Sequence, residues 1–251
     1  MRDRKIYKRK VREKKVYGSF DEIPPREYMY FPKGTVEPSK PGQFSRVELQ
    51  HILISMTVLI IAFTFALTPN NLYTVFTKTG GFRPDLLPVG LFKSFLGVLV
   101  AFFFHEMAHK FIAQKHRLWA EYRMFTGGLG LALFFSLTLG FVFAAPGAVM
   151  FRGDAKPHET GKIAISGPAA NTILAFVSFL IFSYALVEDT LIWETVGFIC
   201  FRNSILAFFN LLPFGPLDGV KVVRWNGTVW AILLIVAMTM MTTIFIRFTF
   251  Y

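Results

Sequence analysis

Long apolar runs dominate the chain after residue 48, and they leave it little choice of fold. They are "HILISMTVLIIAFTFALT" (51–68), "PVGLFKSFLGVLVAFFFHEMAHKFIA" (88–113), "GGLGLALFFSLTLGFVFAAPGAVM" (127–150), "IAISGPAANTILAFVSFLIFSYALV" (163–187), "LIWETVGFICFRNSILAFFNLLPF" (191–214) and "TVWAILLIVAMTMMTTIFI" (228–246). Runs of this length match the hydrocarbon thickness of a bilayer. Inside lipid no water satisfies a backbone N–H or C=O, so such a segment forms a helix. The chain is 53% hydrophobic and 17% charged, which places it with membrane proteins rather than soluble enzymes. The expected fold is an all-α polytopic membrane protein, a helical transmembrane bundle of five to six membrane segments occupying residues 49–251.

The charge excess is concentrated at one end. The first fifteen residues, "MRDRKIYKRKVREKK", carry nine Lys or Arg against Asp3 and Glu13. A basic stretch before the first membrane segment fits the positive-inside rule. Residues 1–48, broken by Pro24, Pro25, Pro32, Pro38 and Pro41, read as a basic cytoplasmic tail, and no nucleic-acid partner is expected. The protein is expected in the cell membrane as a multi-pass protein, with the lipid bilayer as its environment. The single cysteine, Cys200, can form neither an internal disulfide nor a Cys-rich zinc site; it reads as packing.

The chemistry lies in "FFFHEMAHKF" (102–111). Polar, ionisable groups in such a run are costly unless something compensates them. On a helix, His105 and His109 stand one turn apart on one face, where both imidazoles reach one zinc ion, with Glu106 beside them to act on a metal-activated water. A structural zinc site has no need of that glutamate, so a catalytic one is favoured. The other histidines, His51, His116 and His158, sit at segment edges or in polar loops. Among the carboxylates, Asp218 in "NLLPFGPLDG" (210–219) is the best third ligand. It follows an apolar segment broken by Pro213, Gly215 and Pro216, although in isolation such an Asp is more often an ordinary turn residue. Glu194 and Arg202, inside the fifth segment, read as structural. Arg202 is expected to pair with a carboxylate or to snorkel, and Glu194 to reach water.

HExxH inside a membrane segment, followed far downstream by Asn210, Pro213, Pro216, Asp218 and Gly219, resembles the site-2 protease family of intramembrane zinc metalloproteases. A Gly-x-x-x-Asn pattern between them, Gly167 to Asn171 in "SGPAAN", completes the family's order of elements. The resemblance covers roughly residues 88–225. It implies one Zn2+ per chain held by His105, His109 and Asp218, with Glu106 as general base. It also implies that Asn210 and Asn171 lie near the zinc, positioning substrate or stabilising the developing oxyanion. The implied function is hydrolysis of peptide bonds in or near transmembrane segments of membrane-protein substrates. The alternative is a non-catalytic transporter or scaffold that retains the zinc site. No PDZ-like insertion separates the apolar segments.

Parity constrains the topology. If the tail is cytoplasmic, the second segment ends inside at His105 and His109, and Asp218 must arrive at the same depth. Segments four and five supply two crossings, so 127–150 must enter the membrane without crossing it; its glycines and "APGA" suit a re-entrant turn. The stretch "FTGGLGL" (125–131) can be read in two ways: as backbone for β-type pairing with an unwound substrate, or as glycines that only let the chain turn or pack closely.

Overall fold

The computed structural model describes residues 42–77, 81–143, 145–152, 155–184 and 190–250. The first 41 residues of the expected basic tail lie outside that range. Among the described residues, five helical stretches are long and apolar enough to cross a membrane: Arg46–Thr77, Pro84–Lys115, Pro157–Tyr184, Leu191–Leu211 and Gly227–Arg247. The protein is therefore a multi-pass, helical membrane protein.

Helix α1 (Arg46–Leu67) opens on Ser45, whose hydroxyl accepts the Glu48 N–H at 3.1 Å. A short α2 (Leu72–Thr77) follows. The second crossing is one continuous rod: α3 (Leu87–Gly97), a π-helical stretch at Val98–Phe103, and α4 (Phe104–Lys115). The widened turn sits directly before His105, and π-helical turns are frequent at functional sites. Long helices α6 (Pro157–Tyr184), α7 (Leu191–Leu211) and α9 (Gly227–Phe250), with the short α8 (Asp218–Trp225) between the last two, complete the helical set. Their outward faces carry exposed Ile173, Phe176, Ile181, Ile232, Ile235 and Phe245, among others. So much apolar surface is tolerable only against lipid.

The third apolar run is where the structure departs from a purely helical bundle. Strand β1 (Trp119–Met124) pairs antiparallel with β2 (Gly147–Arg152), Trp119 opposite Arg152 and Met124 opposite Gly147. Between them lies α5 (Thr126–Leu139). Fourteen residues make about 21 Å of helix, short of the roughly 30 Å hydrocarbon core. Gly140 ends α5 in the left-handed region at φ 76°, where its N–H reaches Phe135 O. The chain then returns, and Phe125 N–H bonds Pro146 O at 2.9 Å. Because β1 and β2 are bonded neighbours, the run leaves and re-enters at one level, as the parity argument requires. The "FTGGLGL" stretch forms the first turns of α5 and contains no strand; the strand of this run is β2, at 147–152.

The core joins these parts. Tyr122 is fully buried and meets Phe102 edge-on at 5.6 Å. Its hydroxyl lies 3.0 Å from Ser55 Oγ and 2.9 Å from Pro146 O, so one side chain ties α1 to the return of the re-entrant loop. Cys200 is buried, as expected of a packing residue, and its thiol faces Ala175 O at 3.3 Å. Among the described residues no carboxylate pairs with Arg202; its guanidinium lies over the rings of Phe63 and Phe198, at 4.6 and 4.8 Å. Glu194 is half exposed and bonded to Lys93 of α3.

The returning loop has a direct test. On a Cys200→Ala background, single cysteines at Arg117 and His158 should react with a membrane-impermeant maleimide from one face of sealed vesicles, and one at Tyr73 from the other. Labelling of position 158 from the same face as position 73 would mean that the segment between the strands crosses.

Candidate metal centre

Helix α4 presents two neighbouring faces. His105 and His109 form one; Glu106 and Lys110, also four residues apart, form the next. All four side chains are buried. Asp218 reaches the histidine face from the start of α8, just past the Pro213–Pro216 break. His105 Nε2 and His109 Nε2 are 3.0 Å apart, and Asp218 Oδ2 lies 2.9 Å from His109 Nε2 and 3.8 Å from His105 Nε2. The structure thus brings together the three residues predicted to bind one ion.

The outer nitrogens of the imidazoles decide what these three atoms are. His109 Nδ1 lies 2.7 Å from the backbone oxygen of Ile163, which can only accept, so Nδ1 carries a proton and, in the neutral ring, Nε2 keeps the lone pair. His105 Nδ1 faces Asn171 Oδ1. The orientation of that amide is set elsewhere: Asn171 Nδ2 donates to Ala101 O at 2.9 Å and to Asn203 Oδ1 at 2.8 Å. Flipping Asn171 would set its oxygen against a carbonyl that cannot donate. His105 is therefore locked in the same tautomer as His109. Two lone pairs and a carboxylate oxygen converge with no hydrogen of their own between them, which suits a cation.

Room for the ion comes from Gly167 on α6. A Cβ there would lie 2.3 Å from His109 Nε2 and 2.7 Å from His105 Nε2, against the two nitrogens that face the ion. Asp218 is held from its other side by Lys221, whose Nζ donates to Oδ1 at 3.0 Å.

Glu106 turns toward the sheet, and its Oε2 accepts the Val149 N–H of β2 at 2.8 Å. Asn210, half-buried on the last turn of α7, donates to Leu206 O of its own helix at 2.9 Å. Among the described residues no hydrogen bond joins it to the three converging donors. Asn203 is the member that sequence reasoning missed. It is fully buried in α7 and orients Asn171; an uncharged amide in the middle of "FICFRNSIL" was the available signal.

Comparison with known proteins places this geometry. A protein of Methanocaldococcus jannaschii named "Putative zinc metalloprotease MJ0611" is 38% identical over 192 residues, covering 76% of this chain and 90% of the relative. The chain belongs to the site-2 protease family of intramembrane zinc metalloproteases. YwhC of Bacillus subtilis, named as a zinc metalloprotease in the same terms, is 33% identical over 145 residues, 51% of this chain and 65% of that one. Stage IV sporulation protein FB of the same bacterium is 27% identical over 143 residues, 54% of this chain and 40% of that protein. No family model and no solved structure matches. The metal of this protease is zinc, and the donor set fits it: two imidazole nitrogens and a carboxylate oxygen, leaving a fourth position for water or substrate.

The Asn203–Asn171–His105 chain predicts a measurable effect on the metal. Outer partners of ligating histidines are typically worth about 10–100-fold in metal affinity. Asn203→Ala should weaken zinc binding within roughly that range, read by competition with a chelator of known affinity. Parental affinity in the variant would mean that Asn203 does not orient the ligand.

Proposed function

We propose that the protease cleaves transmembrane segments of membrane-protein substrates, with His105, His109 and Asp218 as the ligands of one zinc ion per chain and Glu106 as general base. The observation that carries this reading is the convergence of His105 Nε2, His109 Nε2 and Asp218 Oδ2, with Glu106 next on the same helix. The chemistry zinc supplies when bound is Lewis-acid polarisation of the scissile carbonyl and of the attacking water. Glu106 Oε2 is held by Val149, so Oε1 takes the proton from the attacking water and passes it to the departing amide nitrogen.

Asn171 acts on the ligand rather than on the substrate. Both its amide hydrogens are engaged, by Ala101 O and Asn203 Oδ1, so it holds His105 and has no hydrogen left for an oxyanion. Asn210 uses one amide hydrogen on Leu206 O, and its second is the better donor for a substrate carbonyl.

A helical substrate must unwind locally, because a helix hides its carbonyls in hydrogen bonds. The sheet offers a place for the unwound stretch. Two outward N–H groups of β1 are taken by α1: Tyr122 N by Glu48 Oε1 at 2.9 Å and Met124 N by His51 Nδ1 at 3.4 Å. The outer edge of β2 instead faces Glu106 at Val149. A substrate strand laid along that edge by β-augmentation passes the general base.

The tail sets the orientation: N-terminus and metal site both cytoplasmic. Lys115 and Arg117 follow the second apolar run, Arg152 and Lys156 the third, and Lys221 and Arg224 the fifth, as the positive-inside rule asks of a cytoplasmic face.

The test is incubation of the purified protein in detergent with a panel of single-span membrane proteins, with and without a chelator. Cleavage should require the metal. Glu106→Gln should lower it by roughly 10²–10⁴-fold with zinc still bound at one per chain. Near-parental cleavage in that variant would refute the hydrolytic role of Glu106.

A further inference from the structure

The most completely buried charges in the described residues lie outside the metal centre. Glu48 on the first turn of α1 and Lys110 on α4 are both 0% exposed and bonded to each other, Lys110 Nζ standing 2.6 Å from Oε2 and 2.8 Å from Oε1. Taking two charges out of water is costly. Here both ions have further partners. Lys110 Nζ also donates to Ala120 O at 3.1 Å and lies 4.3 Å from the centre of the Phe44 ring. Glu48 Oε1 also accepts the Tyr122 N–H at 2.9 Å.

These contacts close a ring with the catalytic helix. Lys110 and Glu106 share a face of α4, one turn apart. Lys110 and Glu48 together grip the outer edge of β1 at Ala120 O and Tyr122 N. Tyr122 stands opposite Val149 in the ladder. Both of their N–H groups point away from the sheet, Tyr122 toward Glu48 and Val149 toward Glu106, as in a non-hydrogen-bonded antiparallel pair. One end of the pair is thus fixed by the ion pair and the other meets the general base. A slip of one residue in β1 would set Glu121 or Arg123 opposite Val149 and turn the Tyr122 N–H away from Glu48, undoing the ladder that seats β2.

We propose that the Glu48–Lys110 ion pair is the positioning device for Glu106: through Tyr122 and its partner Val149 it holds the N–H that orients the carboxylate. This rests on the reading of Glu106 as general base. Neither residue of the pair touches substrate or metal, so they are positioning residues. Their contribution is expected in kcat, where the orientation of the base counts, and not in KM or metal content.

A double-mutant cycle tests the connection on a membrane-protein substrate cleaved by the parent. One arm is Glu48→Met with Lys110→Met, which removes both charges together and avoids stranding one of them. The other is Val149→Pro, which deletes the N–H on Glu106 but no ladder bond, because that N–H faces outward. Each arm should lower kcat by roughly 10–100-fold, with KM within about threefold of the parent and one zinc per chain. The combined variant should be no slower than the slower arm, since both break the same link. Losses that multiply, or a Met pair with parental kcat, would overturn the proposal. Glu48→Gln, which keeps the side chain's shape, replaces the Met pair in the same cycle should that variant not be recovered folded. Glu106→Gln separates this outcome from the underlying reading: an active Glu106→Gln refutes the base, whereas an inactive one with multiplicative losses in the cycle refutes only the positioning role.

Discussion

The metal centre depends on the close approach of α6 to α4 at Gly167. Three donor atoms have to meet within an apolar bundle, and each must reach the meeting point without a proton. Two come from α4. The backbone oxygen of Ile163 and the side chain of Asn171, which fix the tautomers of those two, come from the helix opposite. With any larger residue at position 167, α6 would stand off and take both partners with it. A Cβ there would also press on the Nε2 atoms of His105 and His109. Pro168 follows at once and has no N–H to give Ala164 O, so this turn of α6 gives up one of its own bonds where it makes its closest contact.

That arrangement also explains the polar groups scattered through the apolar segments. In lipid an unpartnered amide costs several kcal/mol, so Asn171 and Asn203 would be liabilities taken singly. Together with Ala101 O, Ile199 O and His105 they form a chain in which each amide hydrogen of Asn171 and the oxygen of Asn203 have partners. The chain runs from the π-helical stretch through α6 to α7, joining the three helices that frame the site. Arg202, one residue before Asn203, is accommodated differently, by the faces of two phenylalanine rings.

Much of this could be read in the sequence because two of its rules are strict. Lipid-length apolar runs must be helical, and helical spacing puts His105, Glu106 and His109 on adjoining faces; both readings match the structure. Parity, which needs only the sign of the tail and the depth of Asp218, gave a returning third segment where hydropathy alone suggests a span. The sheet was hidden for a physical reason. "WAEYRM" carries Glu121 and Arg123, both buried and paired with each other, so its charges read as loop. Its partner strand lies beyond a whole helix and looked like the end of an apolar segment. Glu48 and Lys110 were missed for a similar reason: each sits near the edge of its segment, where a charge normally meets water, and only the tertiary fold buries them. Asn203 carries no charge, so little in the sequence sets it apart from an ordinary amide, and only its contact with Asn171 gives it a role.

The two faces of α4 divide the work in a way that follows from helix geometry. His105 and His109 need rigid acceptors behind them and receive these from α6, itself a long crossing helix. Glu106 needs a partner that holds one oxygen and leaves the other free; a backbone N–H on a strand edge provides this, since it donates a single hydrogen in a fixed direction. A two-stranded sheet is marginal alone, and inside a membrane its open edges would be worse still. Here the outer edge of β1 is satisfied by Glu48, Lys110 and His51, and that of β2 meets Glu106. The strand that bonds Glu106 is therefore held in place by the same contacts that satisfy the far edge of the sheet.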